Sequence, residues 1–135
     1  MRKTTLIAIA LVCAVVLFGC LIIFGPNRAP RVPVYQTENI TRITFHEHRP
    51  PFGEYQVPAE YMGEITAWLG TFQILHKADL MSIPAGANGI TVEIEYADGT
   101  VVHHGIDYPT IDDITYRVRF DDYPACYFEI IKSDY

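Results

Sequence analysis

Histidine is the residue type in this chain best placed to do chemistry. There are five, all beyond position 45: His46, His48, His76, His103 and His104. Side chains two apart on a β-strand share a face. His46 and His48 therefore project together, on the side of Thr44 and opposite Ile43 and Phe45. Two imidazoles on one face are a start for a zinc or copper site, because a neutral ring nitrogen ligates both metals well. His103 and His104 point to opposite faces, so one of them at most joins the pair. The candidate metal set is His46, His48 and His104, with Asp107 or Glu47 as oxygen donors. The plainer alternative is a set of solvated strand histidines on an acidic surface. No recognised ligand spacing stands behind the metal reading, and no other cofactor is expected.

Other chemistry finds less support. Ser82 and Ser133 are the only serines, and neither stands in a nucleophile-elbow setting. Asp112-Asp113 and Asp121-Asp122 read as turn or cap residues, the usual role of adjacent acids beside strands. Asp98-Gly99 lacks the spaced oxygen ligands of a calcium loop and reads as a hairpin turn. Arg117 and Arg119 share the outward face of one strand, as Glu93 and Glu95 do on another. If the strands are neighbours, those charges pair across the sheet. No catalytic residue is expected, and the chain reads as non-enzymatic.

The elements that must position these residues are mostly strands. Ile40 to His46 alternates as a first strand, and Glu54 to Val57 pairs back on it past Pro50-Pro51-Phe52-Gly53. Pro58 suits a first helical turn. Tyr61, Met62, Ile65, Trp68 and Leu69 make one apolar stripe, and Gly70 supplies the stop. Thr71 to His76 is the next strand, followed by a loop from Pro84 to Gly89. Ile90, Val92, Ile94 and Tyr96 then alternate with Thr91, Glu93 and Glu95. Asp98-Gly99 turns that strand back into Val101 to Ile106. Ile114 to Phe120 alternates again. Residues 123–133 fit a short amphipathic helix or a strand, with the helix preferred. The fold class is α+β: a small, mostly antiparallel sheet with one or two helices packed on one face, behind an N-terminal transmembrane helix.

That N-terminal helix follows from the run Thr4 to Phe24, which holds no charge and follows Met1-Arg2-Lys3. About 20 apolar residues at helical rise cross a bilayer. Residues 1–25 read as an uncleaved signal anchor, 26–36 as a proline-bearing linker, and 37–135 as an extracytoplasmic domain. The rival for the first segment is a lipoprotein signal peptide. Leu17-Phe18-Gly19-Cys20 resembles a lipobox, with Cys20 as the lipidated residue. In both cases the domain is held at the cell membrane, single-pass in the first.

Charge places the domain outside. Beyond the linker stand all 16 acidic residues against six basic ones. Such a surface is repelled by nucleic acid and by anionic headgroups. Cys126 is the one cysteine beyond the apolar run, so no internal disulfide staples the domain. It reads as a small buried apolar residue, with an intermolecular disulfide as the alternative. Tyr35, Tyr55, Tyr108, Tyr123 and Tyr135 stand outside the core pattern, as interface anchors or caps of the core edge.

With Met1-Arg2-Lys3, the run to Phe24, Ile40-Thr41-Arg42-Ile43, the segment before Trp68 and the Val92-to-Ile106 hairpin, the chain resembles the small uncharacterised envelope proteins of Gram-positive bacteria. The resemblance implies a basic start, an apolar anchor or lipobox and one α+β domain, and no residue-level chemistry. The expected function is a membrane-tethered domain that binds a protein or envelope component. The alternative is a surface metal-binding or metal-sensing protein.

Overall fold

The computed structural model describes residues 7–16 and 32–132. Two units result, Met1–Arg31 and Val32–Tyr135. In the first, residues 7–16 are helical (α1), and Ile7, Leu11, Val12 and Val15 are exposed apolar side chains. Among the described residues no helix is long and apolar enough to cross a membrane. The rest of the expected span, Cys20 included, lies outside the described residues.

The second unit is α+β, with antiparallel strands throughout. Its order is β1 (Ile40–Glu47), β2 (Gly53–Gln56), a 3₁₀ turn (Ala59–Tyr61), α2 (Met62–Leu69), β3 (Gln73–Lys77), a second 3₁₀ turn (Leu80–Ser82), β4 (Ile90–Tyr96), β5 (Val101–Gly105), β6 (Thr110–Ile111), β7 (Ile114–Arg119) and α3 (Ala125–Ile131). One sheet was expected; there are two. The larger runs β2-β1-β4-β5 and the smaller β3-β7-β6. The pairing of Glu93 and Glu95 with Arg117 and Arg119 therefore fails, because β4 and β7 belong to different sheets. Glu95 instead meets Arg42 across the β1–β4 pair at 2.6 Å.

Alternation in β4 is as expected: Val92, Ile94 and Tyr96 are buried while Thr91, Glu93 and Glu95 lie on the other face. Ile43 and Phe45 of β1 join that inner face. The helices cover it: Phe45 meets the Trp68 ring of α2 and, edge-on at 5.2 Å, the Tyr127 ring of α3. Residues 125–131 are thus helix, begun by Pro124, whose missing N–H costs nothing there. The expected helix from Pro58 divides into a 3₁₀ turn and α2. Gly70 ends it in a right-handed conformation (φ −65°), donating to Thr66 and Trp68 carbonyls, so the stop needs no left-handed glycine.

Two of the hairpin turns depend on left-handed backbone. Gly99 has φ 85° in the β4–β5 turn, where Asp98 Oδ1 accepts the Thr100 N–H at 2.8 Å. Asp112 and Asp113, φ 49° and 64°, form the two-residue β6–β7 turn. Both signs match a type I′ hairpin. The β6–β7 hairpin was not foreseen, since Asp-Asp is a weaker turn signal than Asp-Gly.

Residues expected to end the linker belong to this unit. Val34 donates to the Phe72 carbonyl, Pro33 bridges to Gln73, and Tyr35 is buried with its ring edge-on to Phe72 at 5.3 Å. Tyr35 is thus a core residue and no exposed anchor. Phe72 stacks on Phe120 at 4.3 Å, and both rings contact Trp68. Cys126 is buried, as expected.

Candidate functional site

Two places bring polar side chains together. The first is the outer face of the larger sheet, away from α2 and α3. The registers His46↔Thr91, Thr44↔Glu93 and Glu93↔His103 put these residues side by side on three strands. His48 continues the line of β1, held by its N–H on the Gly89 carbonyl at 2.8 Å.

His46 and His48 share this face, their rings stacked 6.4 Å apart. The third imidazole is His103, with its centroid 5.2 Å from that of His46. His104 lies on the opposite face, near the Tyr35 ring, so it does not join the pair. Alternation along β5 allowed one of the two to reach the pair, and the β4–β5 register selects His103. Asp107 and Glu47 do not join either; Glu47 is held by Arg49 at 2.8 Å, which lowers its carboxyl pKa.

The three rings meet around Thr91 and Glu93. Nε2 of His48 and Nε2 of His103 lie 2.9 and 2.6 Å from the Thr91 hydroxyl. His46 Nε2 is buried without a hydrogen-bond partner, 3.7 Å from a Glu93 carboxylate oxygen. Burial, followed by the neighbouring His46, lowers the His103 pKa, and Glu93 opposes the shift. Among the described residues, no group of three or more His, Cys, Asp or Glu side chains is placed so that it could hold a metal ion as it stands.

The second place is a cleft of about 610 Å³ beside the β4–β5 turn. Residues 34–39 form one wall and β4, β5 and Ile111 the other. Tyr96 donates its hydroxyl to the Gln36 carbonyl at 2.8 Å and so pins the first wall to the second. Val34, Val102, Ile111 and the tyrosines give the lining its apolar part, while Glu38 and Asp98 bring carboxylates. Neither Lys nor Arg lines it.

Two lining side chains carry buried polar atoms with no partner: Tyr35 Oη and His104 Nδ1. Leaving such atoms unpaired costs about 1–3 kcal/mol each. Burial drives the Tyr35 phenol well above its ordinary pKa, with Tyr96 adding to the effect. Burial also lowers the His104 pKa, against a hydrogen bond to the Thr110 backbone that raises it. Both shifts favour neutral groups. The Asp98 carboxyl moves the other way, lowered by the Thr100 N–H it accepts.

Sequence reasoning missed this cleft. Its residues come from three separated segments, and a tyrosine in a presumed linker gave no sign of burial. No family model matches the chain, and no curated protein or solved structure matches it.

Proposed function

We propose that this chain is a membrane-tethered binding module whose folded domain faces outward and captures an envelope component in the cleft beside the β4–β5 turn. The tether is supported by the uncharged run from Thr4 to Phe24 and by the exposed apolar side chains of α1. The outward orientation is supported by the acidity of the domain, which disfavours contact with anionic lipid.

One observation carries the binding reading: Tyr35 and His104, whose Oη and Nδ1 are buried without a hydrogen-bond partner, both line a single cleft. Native interiors pair their buried polar groups with few exceptions. A concave, mostly apolar site with a few convergent polar groups is the usual form of a ligand pocket. The test is site-specific photocrosslinking in intact cells from Thr100, at the cleft rim, compared with Glu60 on the 3₁₀ turn. A discrete adduct from Thr100 that disappears in Val102→Trp, where the indole fills the cleft, supports the reading. Equal labelling from both positions, or an adduct that persists in Val102→Trp, rejects it.

A second reading is favoured by the other place. His46, His48 and His103 with Glu93 offer three imidazoles and a carboxylate to a zinc or copper ion, and the unpartnered His46 Nε2 is one of the nitrogens concerned. The His48 and His103 Nε2 atoms are no further apart than their two bonds to Thr91 combined. Binding one ion at about 2.0–2.1 Å requires the rings to rotate from their present positions.

A further inference from the structure

We propose that the cleft takes a primary ammonium group carried on a short apolar body, a small alkylamine or diamine, in preference to a neutral or anionic molecule of the same size. This inference rests on reading the cleft as a binding site and names the chemistry of what fills it.

Charge is the first argument. Glu38 and Asp98 line the cleft and no Lys or Arg does, so an anion meets repulsion and a cation meets attraction. Asp98 Oδ1 is already engaged by the Thr100 N–H. That bond, with one from the Thr100 side chain, orients the carboxylate without neutralising it.

The walls are the second. Tyr35 and Tyr96 are among the lining residues, and aromatic faces attract cations, most strongly where water is thin. Val102 and its apolar neighbours suit a short hydrocarbon and offer nothing to a polar one.

Hydrogen bonding separates a primary ammonium from a quaternary one. A neutral imidazole has one nitrogen that donates and one that accepts, and a phenol oxygen does both. Tyr35 Oη and His104 Nδ1 lack partners. A primary ammonium brings three N–H donors to the Glu38 and Asp98 carboxylates of the lining and, once those side chains turn toward it, to the two buried atoms, whereas a quaternary ammonium brings none. Burial keeps His104 neutral, so the imidazole does not repel the guest.

The experiment uses the full chain, ¹⁵N-labelled in detergent micelles, titrated with n-butylamine, n-butanol or butyrate. The expected result is saturable shifts at Asn39, Ala97, Thr100 and Val102 with n-butylamine, with n-butanol binding about fivefold more weakly or worse and butyrate weakest. Glu38→Gln and Asp98→Asn should each weaken n-butylamine by about two- to fivefold and leave n-butanol unchanged. Glu38 is exposed, and asparagine fits the turn at position 98, so both variants should keep the parent spectrum. If Asp98→Asn disturbs the hairpin, Glu38→Gln carries the charge test alone.

Preference for n-butanol or butyrate at these amides overturns the ammonium inference and leaves the cleft a binding site. Indifference of n-butylamine to Glu38→Gln overturns it as well. Absence of saturable shifts with all three probes overturns the inference too, and photocrosslinking from Thr100 then decides the cleft reading separately.

Discussion

The side-chain amide of Asn88 clamps the backbone of Tyr108 at both polar groups. Its Nδ2 donates to the Tyr108 carbonyl at 2.9 Å, and its Oδ1 accepts the Tyr108 N–H at 2.8 Å. Asn88 sits in the left-handed region at φ 60°, which asparagine tolerates better than most residues. A Cβ on Gly105 would run into this side chain, so glycine there leaves room for the clamp. The contact ties the loop before β4 to the segment after β5.

Asn88→Ala removes two hydrogen bonds and leaves alanine with positive φ. The expected loss is about 2–3 kcal/mol of unfolding free energy, measured by urea denaturation. Asn88→Asp, which keeps the acceptor and loses the donor, should fall between the two.

The aromatic cluster around Phe72 is the centre of the core. Phe72 is fully buried, stacks on Phe120, and supports Trp68 and Tyr35 edge-on. Phe72→Ala should cost about 3–5 kcal/mol, a large part of the stability of a domain this size. Tyr35 also lines the cleft, so the same substitution should weaken butylamine binding wherever the domain remains folded.

Cys126 supplies a pH dependence. Burial, then its contact with Glu64, pushes the thiol up to about 11. A group with a raised pKa in the folded state contributes stability below its unfolded pKa, about 8.5, and loses it as pH rises toward the folded value. Thermal stability should therefore decline between about pH 8.5 and 11, and Cys126→Ala should flatten that decline. At pH 7.5 native Cys126 should react with iodoacetamide far more slowly than the urea-unfolded chain does.

Metal titration separates the two histidines of β5. His46→Ala, His48→Ala and His103→Ala should each weaken zinc or copper binding at least about tenfold, while His104→Ala should leave it unchanged. Thr91→Val removes the hydroxyl between His48 and His103 and should retain binding. No metal uptake by the parent protein, or equal loss in His104→Ala, rejects the metal reading.

Much of the local structure was legible beforehand. Alternation of apolar and polar residues placed Val92 and Ile94 inside with Glu93 and Glu95 outside, because successive strand side chains must point to opposite faces. The same rule paired His46 with His48. The stripe from Tyr61 to Leu69 and the Asp98-Gly99 turn also carried their own local signals. Tyr35 did not: prolines around it read as linker, and its burial depends on Phe72, remote in the chain.

The side to which each strand residue points follows from a two-residue period, a property of the backbone that any short segment carries within itself. Strand partners do not follow from it. Which edges pair depends on loop closure and on how one aromatic core is shared by both sheets, and those terms involve residues far apart in sequence. Hence His46 and His48 could be grouped from their spacing. The choice of His103 over His104, the separation of Glu93 from Arg117, and the cleft lined by Tyr35 and His104 arose only when β4 paired with β1 and β5.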